Sequence, residues 1–173
     1  IEGLIAAGND SFVVTGTTGE SPVLTDDERT SLYREALRAA DGRARIVAGT
    51  GGYNTAESVG RSRVAADLGV DGLLQVTPYY NRPPQDGLYE HFRVIAEATP
   101  LPNILYNVPS RTNCNIEPQT VSRLSEIANI VGIKEASGDF DQIAEILRTS
   151  AKGFQVYSGN DSDTYLIMAL GGV

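Results

Sequence analysis

The chain contains one cysteine, Cys114. No intrachain disulfide can form, which fits a reducing compartment. It also contains one histidine, His91. A histidine-rich metal site is therefore excluded, and no second cysteine is there to complete a thiolate one. Cys114 as a nucleophile would need that one histidine beside it, and nothing in the sequence places the two together. Positive charge is scarce: 14 lysines and arginines stand against 22 aspartates and glutamates, for a net charge of −8 and a pI of about 4.6. Nucleic acids and acidic membrane surfaces call for a basic patch, so neither is an expected partner. An anionic substrate would have to be met by a few local cations. No apolar run approaches the ~18 residues of a membrane span. There is no G-x-x-x-x-G-K-[ST] phosphate loop and no G-x-S-x-G elbow. "GTGGYN" (Gly49–Asn54) opens like a dinucleotide fingerprint, but Asn54 stands where the third glycine belongs. The opening "IEGLIAAG" lacks an initiator methionine and a basic n-region, is too short for a signal peptide, and reads like the end of a helix. The chain is expected to be a piece of something longer.

What the chain does have is one unit used repeatedly. Its 173 residues, 41% apolar and 21% charged, suffice for one domain with a real core. Apolar strand runs are predicted at Ser11–Thr17, Ala44–Thr50, Gly72–Pro78, Asn103–Pro109, Ile130–Ser137 and Phe154–Asn160. Helical patterns follow them at Thr25–Ala40, Thr55–Gly69, Gly87–Ala98, Glu117–Ala128, Asp139–Ser150 and Asp163–Leu170. Thr25 with Glu28 forms a capping-box pattern. "GGV" at the end looks like the run-in to another strand. Six alternating units at intervals of roughly 22 to 33 residues mean α/β with a parallel sheet. An open doubly wound sheet and a closed (β/α)₈ barrel both fit that pattern. The barrel is the expected fold, a TIM barrel with its first strand and last unit missing and residues 1–173 forming a single partial domain. No linker or low-complexity segment divides it.

In either sheet, the chemistry gathers at the C-terminal ends of the strands. "GTTGES" (Gly16–Ser21), "TPYYNRPP" (Thr77–Pro84), "YNVPSRTN" (Tyr106–Asn113) and "SGND" (Ser158–Asp161) all fall there. So does Lys134, inside the strand "VGIKEAS". Period-two alternation puts Gly132, Lys134 and Ala136 on one face, and Val131, Ile133 and Glu135 on the other. Ile104, Tyr106 and Val108 share a face of the preceding strand. A strand lysine is more often at an exposed edge or ion-paired, and an arginine such as Arg111 is more often a surface cation. A Gly-rich turn such as "GTTGES" could cradle any anion. Against these readings stands the convergence of all these residues on one face. A buried lysine with small neighbours and a tyrosine alongside suggests an amine whose pKa is lowered by desolvation, able to condense with a carbonyl. His91, near Leu88, Phe92 and Ile95 on its helix, reads as structural.

"GTTGES", "TPYYNRPPQDGLYEHF", "YNVPSRTNCNI", "GIKEASGD" and "YSGND" resemble, in order and spacing, the dihydrodipicolinate synthase family of pyruvate-dependent class I aldolases. The resemblance covers essentially the whole chain. It implies a (β/α)₈ barrel with a C-terminal helical extension, assembled as a homotetramer in the cytoplasm, or in the plastid stroma if from a plant. The implied activity, in lysine and diaminopimelate biosynthesis, condenses pyruvate with L-aspartate 4-semialdehyde and needs no metal or organic cofactor. Lys134 would form the Schiff base with pyruvate, and Tyr106 would shuttle protons. Thr17 would hydrogen-bond Tyr106 and link it to Tyr80, reaching in from a neighbouring subunit. Thr18 would hold the pyruvate carboxylate, Arg111 would hold the carboxylate of the semialdehyde, and Gly159 would line the pocket. Glu57 and Tyr79 match the positions at which feedback-sensitive members bind lysine. Tyr53 stands where many of these have asparagine, and Asp26 and Arg29 stand where some have histidine. Sialic acid lyases resemble the chain in the other motifs but lack Arg111, and a keto-deoxy sugar-acid aldolase would not need a carboxylate clamp there. A non-catalytic fragment is the alternative of another class.

Overall fold

The computed structural model describes all 173 residues. Six strands, β1 Ser11–Val14, β2 Arg45–Gly49, β3 Gly72–Val76, β4 Asn103–Asn107, β5 Ile130–Glu135 and β6 Gln155–Ser158, form one sheet. The helices are α1 Glu2–Ala6, α2 Asp26–Ala40, α3 Thr55–Leu68, α4 Gln85–Ala96, α5 Pro109–Thr112, α6 Pro118–Ser125, α7 Phe140–Thr149 and α8 Thr164–Leu170. Every neighbouring pair of strands is parallel, and the spatial order is the chain order, β1 to β6. A doubly wound sheet would reverse its order at a switch point. Here the order never reverses, and α2, α3, α4, α6, α7 and α8 all pack on one side of the sheet, as right-handed crossovers require. The result is a curled half-barrel.

Helix starts follow local chemistry. Thr25 caps α2 with its Glu28 partner in a complete capping box, Asn54 caps α3, and the Asp139 carboxylate accepts the Gln142 amide of α7. Between sheet and helices lies the main core, where Leu105, Ile133 and Val156 meet Leu88, Phe92, Leu124, Ile143 and Ile146. Ile46, Ala48 and Leu73 pack on Tyr33, Ala36 and Ala65 in a second cluster. The concave face is smaller and different: Leu74, Tyr106, Val108 and Ala136, with Val47, Val76 and Ile104. At the end of the chain, the Val173 amide donates to Val156 O at 2.9 Å, running alongside β6.

Three details depart from the sequence pattern. β1 stops at Val14 because Thr15 takes a positive φ of 59°. Pro109 opens a helix, α5, within a segment with no helical period; a fixed φ suits the first helical position. A register shift pairs Asn103 with Ile130 but Ile104 with Gly132. This bulge puts both Ile130 and Ile133 in the helix-side core and turns Val131 toward the concave face.

His91 is structural. It is 6% exposed, its Nδ1 lies 2.8 Å from Thr55 Oγ1, and Nε2 has no partner. Burial lowers its pKa from the ordinary 6.5 to about 4. On acidification the unfolded chain therefore takes up a proton before the folded one does. The neutral imidazole costs nothing above pH ~6.5, and stability falls between there and pH ~4. Denaturant titrations should show the wild type losing about 2 kcal/mol more than His91→Gln between pH 7.5 and pH 5. Equal losses would mean that the imidazole is protonated inside the fold.

Candidate active site

Lys134 lies in β5, an interior strand between β4 and β6, in register with Tyr106 on one side and Tyr157 on the other. It is not an edge lysine. Nor is it ion-paired: every ion pair in the molecule uses an arginine. Its Nζ sits 4.5 Å from the centre of the Tyr106 ring. The side chain is half-buried, and that burial lowers its pKa, partly opposed by the negative charge of Asp161. An unpaired, partly desolvated amine loses its proton more readily than a surface lysine.

The small residues beside Lys134 do more than leave room. A side chain on Gly132 would meet Gln155 O at 2.7 Å and the Tyr157 ring at 3.2 Å, and one on Gly159 would meet Ala136 Cβ at 2.6 Å. They let β5 and β6 approach closely beneath the amine. Gly159 also donates its N–H to Glu135 O at 2.7 Å.

Above the strand ends opens a cleft of about 490 Å³. Thr17, Thr18, Tyr106, Arg111, Lys134 and Gly159 all line it, together with Ser110 and Asn160. Thr17 belongs to a 3₁₀ turn, Thr17–Gly19, and Arg111 to α5 at the rim; both side chains are exposed. The expected hydrogen bond between Thr17 and Tyr106 is not formed. The threonine hydroxyl that is anchored belongs instead to Thr15, 2.9 Å from both Tyr33 Oη and Gly49 O. The positive φ at Thr15 ends the strand three residues before the predicted end at Thr17, which falls in the 3₁₀ turn instead. Tyr80 does not line this cleft: it lies beyond β3 with φ of 72°, 89% exposed. Within one chain, it is not part of a relay with Tyr106.

A smaller cavity of about 210 Å³ leads from Gly16, Tyr106 and Arg111 to Ser21, Pro22 and Tyr79. Behind it a pocket of about 90 Å³ gathers Tyr53, Glu57 and Tyr79 with Arg29 and Arg61. The Tyr53 and Tyr79 rings meet edge to face at 5.2 Å. Arg29, only 4% exposed, ties the turn to the sheet, donating to Ser21 Oγ and Ser21 O at 2.8 Å and to Gly49 O at 3.2 Å. Sequence reasoning gave no role to Arg29 and Tyr33 as a support for the turn, although their i, i+4 spacing on α2 is a helix-face signal. It also gave none to Glu135. No group of three or more His, Cys, Asp or Glu side chains gathers to hold a metal ion.

The model of the dihydrodipicolinate synthetase family matches residues 1–173. The chain belongs to that family. It is 53% identical over 169 residues to 4-hydroxy-tetrahydrodipicolinate synthase 1 of Halalkalibacterium halodurans, covering 98% of this chain and 57% of that one. It is 56% identical over 169 residues to the 4-hydroxy-tetrahydrodipicolinate synthase of Moorella thermoacetica, covering 98% and 58%. The crystal structure of a dihydrodipicolinate synthase from Bacillus anthracis superposes with a TM-score of 0.95 at 50% identity, over 98% of this chain and 58% of that one. That of the Cyanidioschyzon merolae enzyme with lysine bound gives 0.96 at 45% identity, over 99% and 58%. The chain thus spans 57 to 58% of the length of these synthase relatives.

Proposed function

We propose that the full-length protein condenses pyruvate with L-aspartate 4-semialdehyde through a Schiff base on Lys134, giving 4-hydroxy-tetrahydrodipicolinate for lysine and diaminopimelate biosynthesis. One observation carries the reading: an unpaired, half-buried amine beside Tyr106 in a cleft that also holds Thr18 and Arg111. The neutral Lys134 amine adds to the pyruvate ketone, and water leaves to give a protonated imine. That imine is an electron sink, so the pyruvate methyl group loses a proton and becomes an enamine. The enamine carbon attacks the aldehyde, forming the new C–C bond. The amino group of the bound semialdehyde then displaces Lys134 from the imine carbon, closing the ring and freeing the enzyme. No step needs a metal or an organic cofactor.

Tyr106 moves the protons. A phenol is a poor acid near neutrality and needs a hydrogen-bonded neighbour to do so. Thr17 lines the same cleft, and side-chain rotation would let it serve. Thr18 takes the pyruvate carboxylate, and Gly159 keeps the pocket wall low. We further propose a closed eight-stranded barrel assembled as a homotetramer in the cytoplasm. There the exposed Tyr80 would complete a neighbour's relay, and Tyr53, Glu57 and Tyr79 would form a pocket for lysine as an effector.

Arg111 separates this reading from a sugar-acid aldolase. The pyruvate carboxylate has Thr18, which leaves the guanidinium for the second substrate. A charge-assisted hydrogen bond is worth about 1.5–3 kcal/mol, so Arg111→Ala should cost ~10–100-fold in kcat/KM for the semialdehyde. The KM for pyruvate should move much less, and borohydride trapping on Lys134 should survive. Loss of pyruvate binding to the same degree would make Arg111 a general cation and leave an unspecified pyruvate aldolase.

A further inference from the structure

Lys134 points into the cleft, whereas its neighbour Glu135 points into the layer between sheet and helices. Glu135 is 0% exposed, and no cation pairs with it. A buried carboxylate without a counter-charge is costly, so hydrogen bonds have to hold it. Asn107 Nδ2 donates to its two oxygens at 3.1 and 3.2 Å, Ser137 N–H at 2.8 Å and Gln142 Nε2 at 3.4 Å. Every one of these partners is a donor.

The partners are fixed in turn. Asn107 Oδ1 accepts from the Ile116 amide at 3.1 Å, and Asn107 Nδ2 also donates to Asn115 Oδ1 at 2.8 Å. Asn115 and Gln142 exchange a reciprocal amide pair at 2.8 and 3.2 Å. Asn107 on one side and Asn115–Ile116 on the other are the two ends of the loop that carries α5 and Arg111. Ser137 and Gln142 belong to the segment that leaves the end of β5, just beyond Lys134.

We propose that Glu135 is a positioning residue: its buried carboxylate ties the base of the Arg111 loop to the strand end that bears Lys134, holding the two substrate-facing groups in one frame. The proposal rests on the roles given above to Lys134 and Arg111. β5 is held on both edges by β4 and β6. The loop is anchored by Gln85, whose side-chain amide donates to Asn115 O at 2.8 Å, and by the buried Thr112 hydroxyl, but no strand flanks it, so slack in the network falls on Arg111 rather than on the amine.

The all-donor surroundings provide the test. In Glu135→Gln, the remaining oxygen can still accept from Asn107 and Ser137, but the new amide nitrogen lies against the amide nitrogens of Asn107 and Gln142, donor against donor. Flipping Asn107 does not help, because its nitrogen would then face the Ile116 N–H. The double variant Asn107→Asp/Glu135→Gln exchanges acceptor and donor between the two positions, and the Asn115–Gln142 pair can flip together to match. In the full-length protein, Glu135→Gln should raise the KM for the semialdehyde at least ~10-fold, since an ångström of misplacement costs on the order of 10²-fold, while the KM for pyruvate stays within about threefold. The double variant should recover most of that loss, a coupling seen only when two residues share one network. A purely structural role would shift both KM values together with the melting temperature. An unchanged semialdehyde KM in Glu135→Gln overturns the proposal. If Glu135→Gln does not fold, the double variant decides. Folded with near-wild-type semialdehyde kinetics, it supports the proposal; defective or unfolded, it overturns it. Pyruvate trapping on Lys134 is measured alongside in the wild type. Its absence overturns the functional reading, whereas its presence with an indifferent Glu135→Gln overturns this proposal alone.

Discussion

Lys134→Arg is expected to abolish both turnover and borohydride trapping of pyruvate while leaving the fold intact. The substitution keeps a long stem and a positive charge, so it isolates one property, the ability to be neutral. A guanidinium stays protonated at any accessible pH and has no lone pair free to attack a ketone. Lys134 already forms no ion pair, and its own burial pushes it toward the neutral form. Peptide mapping of the trapped wild type should put the adduct on Lys134. The other lysine of this sequence, Lys152, is exposed in the turn before β6 and serves as an internal control. An adduct on Lys152, or trapping that survives in Lys134→Arg, would sink the assignment.

The second large effect is expected at Tyr106. Tyr106→Phe should lower kcat by roughly 10²–10⁴-fold, the usual weight of a positioned proton transfer. Stability should change little. The ring, 6% exposed, packs against Leu74, Val108 and Ala136, and phenylalanine keeps all of that contact. The hydroxyl forms no hydrogen bond within the chain whose loss would leave a buried partner unpaired. Trapping should slow but persist, because the amine is untouched. A variant with normal kcat would reduce Tyr106 to a packing residue whose ring merely flanks the amine.

Much of this was legible in the sequence because it is local or strictly periodic. The six strands are apolar runs, and the helix cap at Thr25 with Glu28 is a short-range pattern. Parity grouped Tyr106 with Val108 on one face of β4 and Lys134 with Gly132 and Ala136 on one face of β5, and the register then pairs Tyr106 with Lys134 directly. What parity missed was the bulge that moves Val131, because one inserted residue resets the alternation. The Thr17–Tyr106 bond failed for a related reason. The pattern extended β1 through Thr17, whereas the left-handed turn at Thr15 ends it at Val14. Glu135 escaped notice because its partner Asn107 lies 28 residues away, and no local pattern says that a buried carboxylate will meet only donors.

The strictly sequential strand order also bears on how the chain is made. Each strand after the first pairs with the one synthesised just before it. Among these six strands, none waits for a distant partner still inside the ribosome. At roughly 5–20 residues per second, a new strand emerges every few seconds. Each arriving βα unit finds its docking edge already formed, so the growing arc gains one fresh edge at its leading end while the outer edge of β1 stays open until the proposed barrel closes. Contacts of short sequence separation close quickly. The sheet can therefore lengthen from its N-terminal side in step with translation, with the cleft taking shape only when β4 and β5 bring Tyr106 and Lys134 together.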